Sequence, residues 1–392
     1  MKVCSFFSDH SHGRSSNFYG NRNRSLLNLL FHGFLLIALG AVSANAQVAS
    51  VTLQSPGLSG YVTASLTSPI HVQATAEDLD PITGYVVYVD NQNVYRNFST
   101  TVDTWITIPR GPHTLYVKAW DSHSVGSTDT YQINVTGFAP PTPPVNAQRI
   151  VNIDANQWTV DNDPGVGGKC NTGKLGSFSS TSDPNTQNVP DVGQHFVLNS
   201  QCYYDDTLFY WKYDQDPAQI AAATNFLWDF SFYIPTTTQS NSVQALEFDL
   251  FQAVPFGDGV HEFMFGSQCN YPINQWDFWL PNGSGLTWVH SGIPCRFSTG
   301  KWHHATYFLQ RVTSNGYQET PQTFGPSTDK NTNVRFGTLT IDGQTVYLGG
   351  VAWSTIPRPA WGTVLGVQHQ LDSAVPGVVL DEYSDRESVT AW

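Results

Sequence analysis

The residues of this chain that could do chemistry concentrate in one stretch, Ala245 to Gln252, which reads ALEFDLFQ. Strict alternation of apolar and polar residues predicts a β-strand. Leu246, Phe248 and Leu250 then point one way, and Glu247, Asp249 and Phe251 the other. Two carboxylates and an aromatic ring on one sheet face could line a groove, with the aliphatic face packed on a second sheet. A second set follows in QWDFWLP, where alternation puts Asp277 and Trp279 on one face and Trp276 and Phe278 on the other. Trp288 comes soon after, and Tyr271, Trp302, Trp353 and Trp361 complete a dense set of rings. Sugar C–H faces stack on such rings, while Asp, Asn, Gln and Arg bond sugar hydroxyls. The competing roles are structural: hydrogen-bonded carboxylates on a solvated sheet face, and rings that fill a core.

Two histidines are adjacent in KWHHATYFLQRV. His303 shares its face with Tyr307 and Arg311, and His304 with Trp302, Thr306 and Gln310. His303 is expected either to be a hydrogen-bonded structural residue or to join a site with Arg311. His369, flanked by Gln368 and Gln370, offers a similar choice. Asp161-Asn162-Asp163 and Asp205-Asp206 carry oxygen ligands that a structural Ca²⁺ accepts, although loop aspartates also serve in turns. No H-E-x-x-H, G-x-S-x-G, P-loop or G-x-G-x-x-G pattern occurs. No nucleotide or redox cofactor and no catalytic metal is expected.

The elements that must position these residues lie within 392 residues. Arg22 and Arg24 precede an apolar run, Leu26 to Val42, that ends in Ala44-Asn45-Ala46. That order predicts a signal peptide over residues 1–46 and an exported chain beginning at Gln47. Asn28, His32 and Gly33 interrupt the run, which makes a membrane anchor the weaker choice. The whole sequence carries a net charge of −13. Without its first 46 residues it loses four basic residues and one acidic one, and the charge becomes about −16. Nucleic acid and anionic membrane are thereby disfavoured as partners, since both need a basic face. A polysaccharide or cell-surface glycan is the expected partner, and the location is secreted or cell-surface. Four cysteines remain after residue 46: Cys170, Cys202, Cys269 and Cys295. An even number in an exported chain predicts two disulfides. Three pairings are open, and Cys170–Cys202 with Cys269–Cys295 is favoured because sequence neighbours in meander sheets are often neighbours in space.

Short strand-like runs recur from residue 47 to 136, separated by turn residues, and predict a β-sandwich. Within them YVVYVDNQNVY and GPHTLYVKAWDSHS resemble bacterial immunoglobulin-like modules. That resemblance implies a spacer or adhesive role. Residues 137–147 (GFAPPTPPVNA) hold four prolines and read as a semi-rigid linker. Residues 148–392 hold ten of the twelve tryptophans. They show some ten strand candidates and one helix candidate from Asp216 to Ala223, with Asp216 as N-cap and Pro217 as first residue. No βαβ rhythm appears, so an antiparallel two-sheet jelly roll is expected. The fold class is therefore all-β.

Three stretches in this second part carry a resemblance to concanavalin-A-like lectin and glucanase domains, laminin-G-like modules among them. They are Gly300-Lys301-Trp302-His303-His304, Leu339-Thr340-Ile341-Asp342-Gly343 and Val378-Val379-Leu380-Asp381-Glu382. Glu247 to Gln252 also resembles the E-x-D-x-x-E motif of family-16 glycoside hydrolases. The resemblance implies Glu247 as nucleophile and Asp249 as its electrostatic helper. Gln252 stands where the motif has its acid/base, and an amide cannot titrate. Either Glu262, Asp277 or Glu382 supplies the proton, or the groove binds sugar without cutting it. Lyases of this fold use His, Tyr and Arg, which His303, Tyr307 and Arg311 would match. The leading expectation is an exported glycan-binding protein with a groove lined by Glu247, Asp249, Gln252, Asp277, Trp279, Trp288, His303 and Arg311. A hydrolase or lyase of the same fold is the second expectation, and an adhesive surface protein without a small ligand the third.

Overall fold

The computed structural model describes residues 50–57, 63–123, 126–153, 158–163, 176–181, 193–256, 259–281, 286–312, 333–353, 355–357 and 361–392. The expected signal peptide and Cys170 lie outside these residues. The chain is all-β, with one short helix, Pro217–Ala222, among the described residues. Asp216 does precede that helix, but its side chain does not cap it. Its carboxylate instead accepts hydrogen bonds from Gln148 Nε2 (2.9 Å) and the Tyr213 hydroxyl (2.7 Å).

The first part is a small sandwich of a three-stranded and a five-stranded sheet. Its strands alternate as expected: in Ile70–Glu77 the buried residues are Ile70, Val72 and Ala74. The second part pairs two large antiparallel sheets. One has eight strands in the order Gly176–Thr181, Gly193–Asn199, Val379–Ala391, Asn225–Tyr233, Trp302–Val312, Asn333–Ile341 and Gln344–Trp353, with Gln148–Ile150 beside Val379–Ala391. The other has nine strands. Its main path runs Thr159–Asp163, Asp206–Tyr213, Val364–Ser373, Val243–Phe256, Ser267–Asn270, Gln275–Pro281 and Leu286–Pro294. The acidic strand Val243–Phe256 is thus central, as one side of its pleat demands. Leu246, Phe248 and Leu250 join Trp228, Phe230, Phe232 and Tyr307 in the core between the sheets. Cys269 and Cys295 form a disulfide. Cys202 is also disulfide-bonded.

Gln47–Trp392 makes one compact unit. The first sandwich rests on the outer face of the eight-stranded sheet. Arg335, buried there, donates to the carbonyl oxygens of Trp105 (3.0 Å) and Val94. Trp105 meets Phe308 edge-on, and Phe138 stacks on Tyr347 at 5.7 Å. Arg335→Ala strips both carbonyls of a charged donor. It is expected to cost about 2–3 kcal/mol, measured by urea unfolding, and to speed proteolysis between the two sandwiches. Among the described residues no helix is long and apolar enough to cross a membrane.

Candidate functional site

The outer face of the nine-stranded sheet collects most of the residues singled out by sequence. Pairing is in register across seven strands, so one row reads Asp161, Leu208, Gln370, Glu247, Gln268, Asp277, His290. The next row reads Thr159, Tyr210, Gln368, Asp249, and then, past Gly266, Trp279 and Trp288. Gly266 makes that row possible. A Cβ there would lie 2.8 Å from the Trp279 Cβ and 3.7 Å from Asp249 Oδ1, so any side chain would push the indole away. Trp279 and Trp288 face each other across the strands with ring centroids 5.2 Å apart, both half-buried.

The carboxylates are held by amides. Gln370 Nε2 donates to Glu247 Oε1 (2.7 Å) and to Asp372 Oδ1 (2.8 Å). Gln368 Nε2 donates to Asp249 Oδ2 (2.9 Å), and the Ser267 N–H donates to Asp249 Oδ1 (2.9 Å). Asp277 accepts from Gln268 Nε2 (3.2 Å) and Asn270 Nδ2 (2.7 Å), and its other oxygen meets His290 Nδ1 at 2.8 Å. Glu247 and Asp249 are only 4% and 3% exposed. The groove expected from the sequence has instead a closed central row as its floor, flanked by the exposed Asp161 and His290 and the half-buried Asp206, Asp372 and Trp288.

Burial dominates the titration of this floor. It raises the Glu247 carboxyl well above the usual carboxylate range, helped by the negative charges of Asp372, Asp249 and Asp206. A hydrogen bond between Glu247 and Asp372 adds to the rise of Glu247 and lowers Asp372. Burial also pushes Asp249 up to about 8, against the opposing Ser267 N–H bond, and Asp372 up to about 7. Burial and the neighbouring carboxyls thus favour the neutral form of Glu247, which works against the nucleophile role that the family-16 resemblance implied.

Three expected site residues lie elsewhere. Gln252 is five residues from Glu247, an odd separation. Two such residues share a face only across a bulge, and pairing with Val364–Ser373 runs without a shift from Ala245 to Ala253. Gln252 thus points into the core side, where its amide donates to the carbonyl oxygens of Ile220 and Ala223 at the end of the helix. His303 and Arg311 sit on the inner face of the other sheet. His303 lies between Asp342 Oδ2 and the Ser298 carbonyl, both at 2.9 Å, and stacks on Phe232. Arg311 donates to the Ala221 carbonyl (2.7 Å) and covers the Phe263 ring. Eight residues of extended strand separate the two by roughly 26 Å, so they do not converge on one reacting atom. Tyr307, between them, is packed in the core and its hydroxyl accepts from Ser267 Oγ.

Sequence reasoning missed Asp206, Gln268, Asn270, Gln370, Asp372 and His290 as parts of this face. The alternation in VQHQLDS held the signal for Gln368, Gln370 and Asp372. Asp205, weighed as a calcium ligand, is fully buried and accepts the N–H groups of Gln201 (2.6 Å) and Cys202 (2.7 Å), which is a turn role. Among the described residues, the group able to converge on a cation is Asp80, Asp121 and His123 in the first sandwich. A cavity of about 460 Å³ opens at Arg149, Trp211, Tyr213 and Asp214, away from both carboxylates.

No family model matches the chain. No curated protein matches it either. Among solved structures it is similar to a carbohydrate-binding module of the β-sandwich superfamily, at 12% identity over 87% of this chain and 98% of that one, with a TM-score of 0.28. It is similar to the fibronectin(III)-like modules of Clostridium thermocellum CbhA at 22% identity, covering 23% of this chain and all of that one, with a TM-score of 0.20. Peanut lectin matches at 10% identity over 60% of this chain and 99% of that one, with a TM-score of 0.24.

Proposed function

We propose that this chain is an exported glycan-binding protein whose ligand lies along the outer face of the nine-stranded sheet. The observation that carries this reading is the alignment of the Trp279–Trp288 pair with two in-register rows of amides and carboxyls. Rings of that kind stack on sugar faces, and the flanking polar groups supply directional bonds. The first sandwich packs on the opposite sheet and leaves this face uncovered by it. The Cys269–Cys295 disulfide fits an oxidising, extracellular compartment.

Binding is favoured over bond cleavage on geometry. Glycosidase carboxyls stand about 5–9 Å apart to flank the scissile bond. Glu247 and Asp372 are instead in direct hydrogen-bond contact, and Gln252 faces away. The test is native gel electrophoresis through immobilised polysaccharides. Retardation is expected on at least one of them, weakened about tenfold or more by Trp279→Ala, since a truncated aromatic anchor typically costs about 2 kcal/mol. Migration unchanged on every polysaccharide would leave the chain with a scaffold role alone.

A further inference from the structure

The first sandwich carries a cationic, ring-rich face. Its five-stranded sheet runs Ala64–Ser68, Gly126–Phe138, Gly111–Asp121, Ile82–Val89 and Gln92–Asn97. Alternation sends Tyr85, Val87, Leu115, Val117 and Ala119 into the core, so the residues between them face out. Three outward rows result: Gly84 beside Trp120, Arg96 and Lys118 on either side of Val86, and Tyr88 beside Tyr116. Their partners on Gly126–Phe138 are Gly126, Thr128 and Thr130, so no carboxylate enters these rows. The second sandwich meets the first at Trp105, Val94, Thr107 and Phe138, none of which stands in them. Arg96 is held by rings. Its Cζ lies 4.7 Å from the Phe98 ring centre and 5.3 Å from that of Trp120, and Phe98 meets Trp120 edge-on. Gly84 lets the indole lie against the sheet, because a Cβ there would stand 2.5 Å from Trp120 Cζ2 and 2.9 Å from the Asn97 carbonyl oxygen. Arg96 Nε is buried without a hydrogen-bond partner, and neither Arg96 nor Lys118 makes an ion pair among the described residues. Val86 points out of the core yet is only 5% exposed, as expected when the stems of the flanking Arg96 and Lys118 lie across it.

A guanidinium fixed between two rings keeps its outer N–H groups unspent and pre-aimed, and that fork matches a carboxylate through two parallel bonds. Lys118 adds a second positive charge two strand spacings away, roughly 10 Å at the backbone. The half-buried rings of Tyr88 and Tyr116 stand in the next row, where sugar C–H groups can rest on them. Two cations are too few for nucleic acid, whose affinity is built from many phosphate contacts, or for an anionic membrane, which is held by clusters of basic residues. We infer that the outer face of the five-stranded sheet is a second binding site, for uronic-acid glycans, with one carboxylate on Arg96, another on Lys118 and the sugar rings along Tyr88 and Tyr116. Phe98, Trp120 and Gly84 position Arg96. The net charge of about −16 opposes such a ligand at long range, but physiological salt screens exposed charges beyond about 8 Å. None of these residues belongs to the face of the second sandwich, so the two sites stand or fall separately.

The experiment is titration calorimetry of the full chain, at neutral pH and about 0.15 M salt, with two β-1,4 hexamers that differ only at C6: mannuronate and mannose. The mannuronate hexamer is expected to bind about tenfold or more tightly than the mannose hexamer. Arg96→Gln and Lys118→Gln should each weaken it about fivefold or more, and Arg96→Lys, which keeps the charge but loses the fork, about threefold or more. Arg149→Gln, which removes an exposed cation from the second sandwich, should not. Unfolding midpoints measured alongside separate lost binding from lost folding, and the exposed Lys118 carries the test if Arg96→Gln unfolds. Equal or tighter binding of the mannose hexamer overturns the inference. So does a loss as large in Arg149→Gln as in Lys118→Gln, or no loss in any variant, since either reduces the effect to bulk charge. Tighter binding of a thymidine hexanucleotide or of phosphatidylglycerol vesicles than of mannuronate would make the occupant something other than a glycan and overturns it too. Binding of neither hexamer overturns it as well, and the polysaccharide gels with Trp279→Ala still decide the reading of the second sandwich separately.

Discussion

Replacing His369 with leucine is expected to cost about 3–5 kcal/mol of folding stability, the usual penalty for removing one partner of a buried ion cluster. His369 has no exposed surface and sits between the two sheets. Its Nδ1 is 2.6 Å from Glu382 Oε1, and its Nε2 is 3.4 Å from Glu387 Oε1. Both glutamates are fully buried too. The rings of Trp158, Phe196, Trp228, Phe230 and Phe248 surround the imidazole at centroid distances of 5.2–5.8 Å. Burial alone would strip its proton, but Glu382 and Glu387 overcome that and push it up to about 10. Glu387 has further support, from Trp228 Nε1 (2.9 Å) and Ser384 Oγ (3.2 Å). Glu382 has less: its Oε2 has no hydrogen-bond partner among the described residues. Taking away the imidazolium leaves two carboxylates without their counter-charge in an aromatic core. Changing His369, Glu382 and Glu387 together to leucine or glutamine should restore much of the loss, because a buried ion cluster seldom outperforms well-packed neutral groups. Urea unfolding measures both variants. A single substitution that costs under about 1 kcal/mol would show that the three residues do not act as charges.

That cluster also marks where local reading ends. Alternation settled which way each residue of ALEFDLFQ faces, and Leu246, Phe248 and Leu250 do lie in the core while Phe251 lies on the outer face. It likewise separated Trp276 and Phe278 from Asp277 and Trp279. The Cys269–Cys295 pair followed from proximity in a meander. Gln252 shows the opposite case. A period of two sends it away from Glu247, and only the borrowed motif spacing drew them together. The remaining features are long-range. Val364–Ser373 lies beside Val243–Phe256 across more than a hundred residues of chain, and nothing within either strand names the other. That pairing puts Gln370 and Asp372 on Glu247. The packing of Val379–Ala391 behind it puts Glu382 and Glu387 on His369. Burial of the carboxyls follows from these placements, so their proton affinities were not legible from spacing.

Those proton affinities predict the second large effect: stability falls as pH rises from about 4 to about 8. In the unfolded chain Asp and Glu titrate near 4. In the folded chain burial holds protons on Glu247, on Asp249 up to about 8 and on Asp372 up to about 7. Between these limits the folded state binds more protons than the unfolded state, so the stability slope with pH is negative. The contribution is complete below about 4 and is lost as pH passes the folded values. His369 acts in the same direction at higher pH. Its proton is held up to about 10 against about 6.5 unfolded, so its share is complete below 6.5 and lost on the way to 10. Asp229 opposes at the acid end: the His304 and Thr306 bonds outweigh its burial and lower it, so its share is present above about 4 and lost below. That carboxylate is partly exposed, and solvent screening keeps its weight small. Calorimetric scans from pH 4.5 to 8.5 should therefore show Tm dropping by several degrees, the size expected when a few kcal/mol are lost. The doubly substituted Asp249→Asn, Asp372→Asn chain should have a shallower slope, because neither amide titrates, while Glu247 and His369 keep their shares. A Tm that climbs toward neutral pH in the unaltered chain, or an unchanged slope in the double variant, would mean that the floor carboxyls reach water and are ionised like any on the surface.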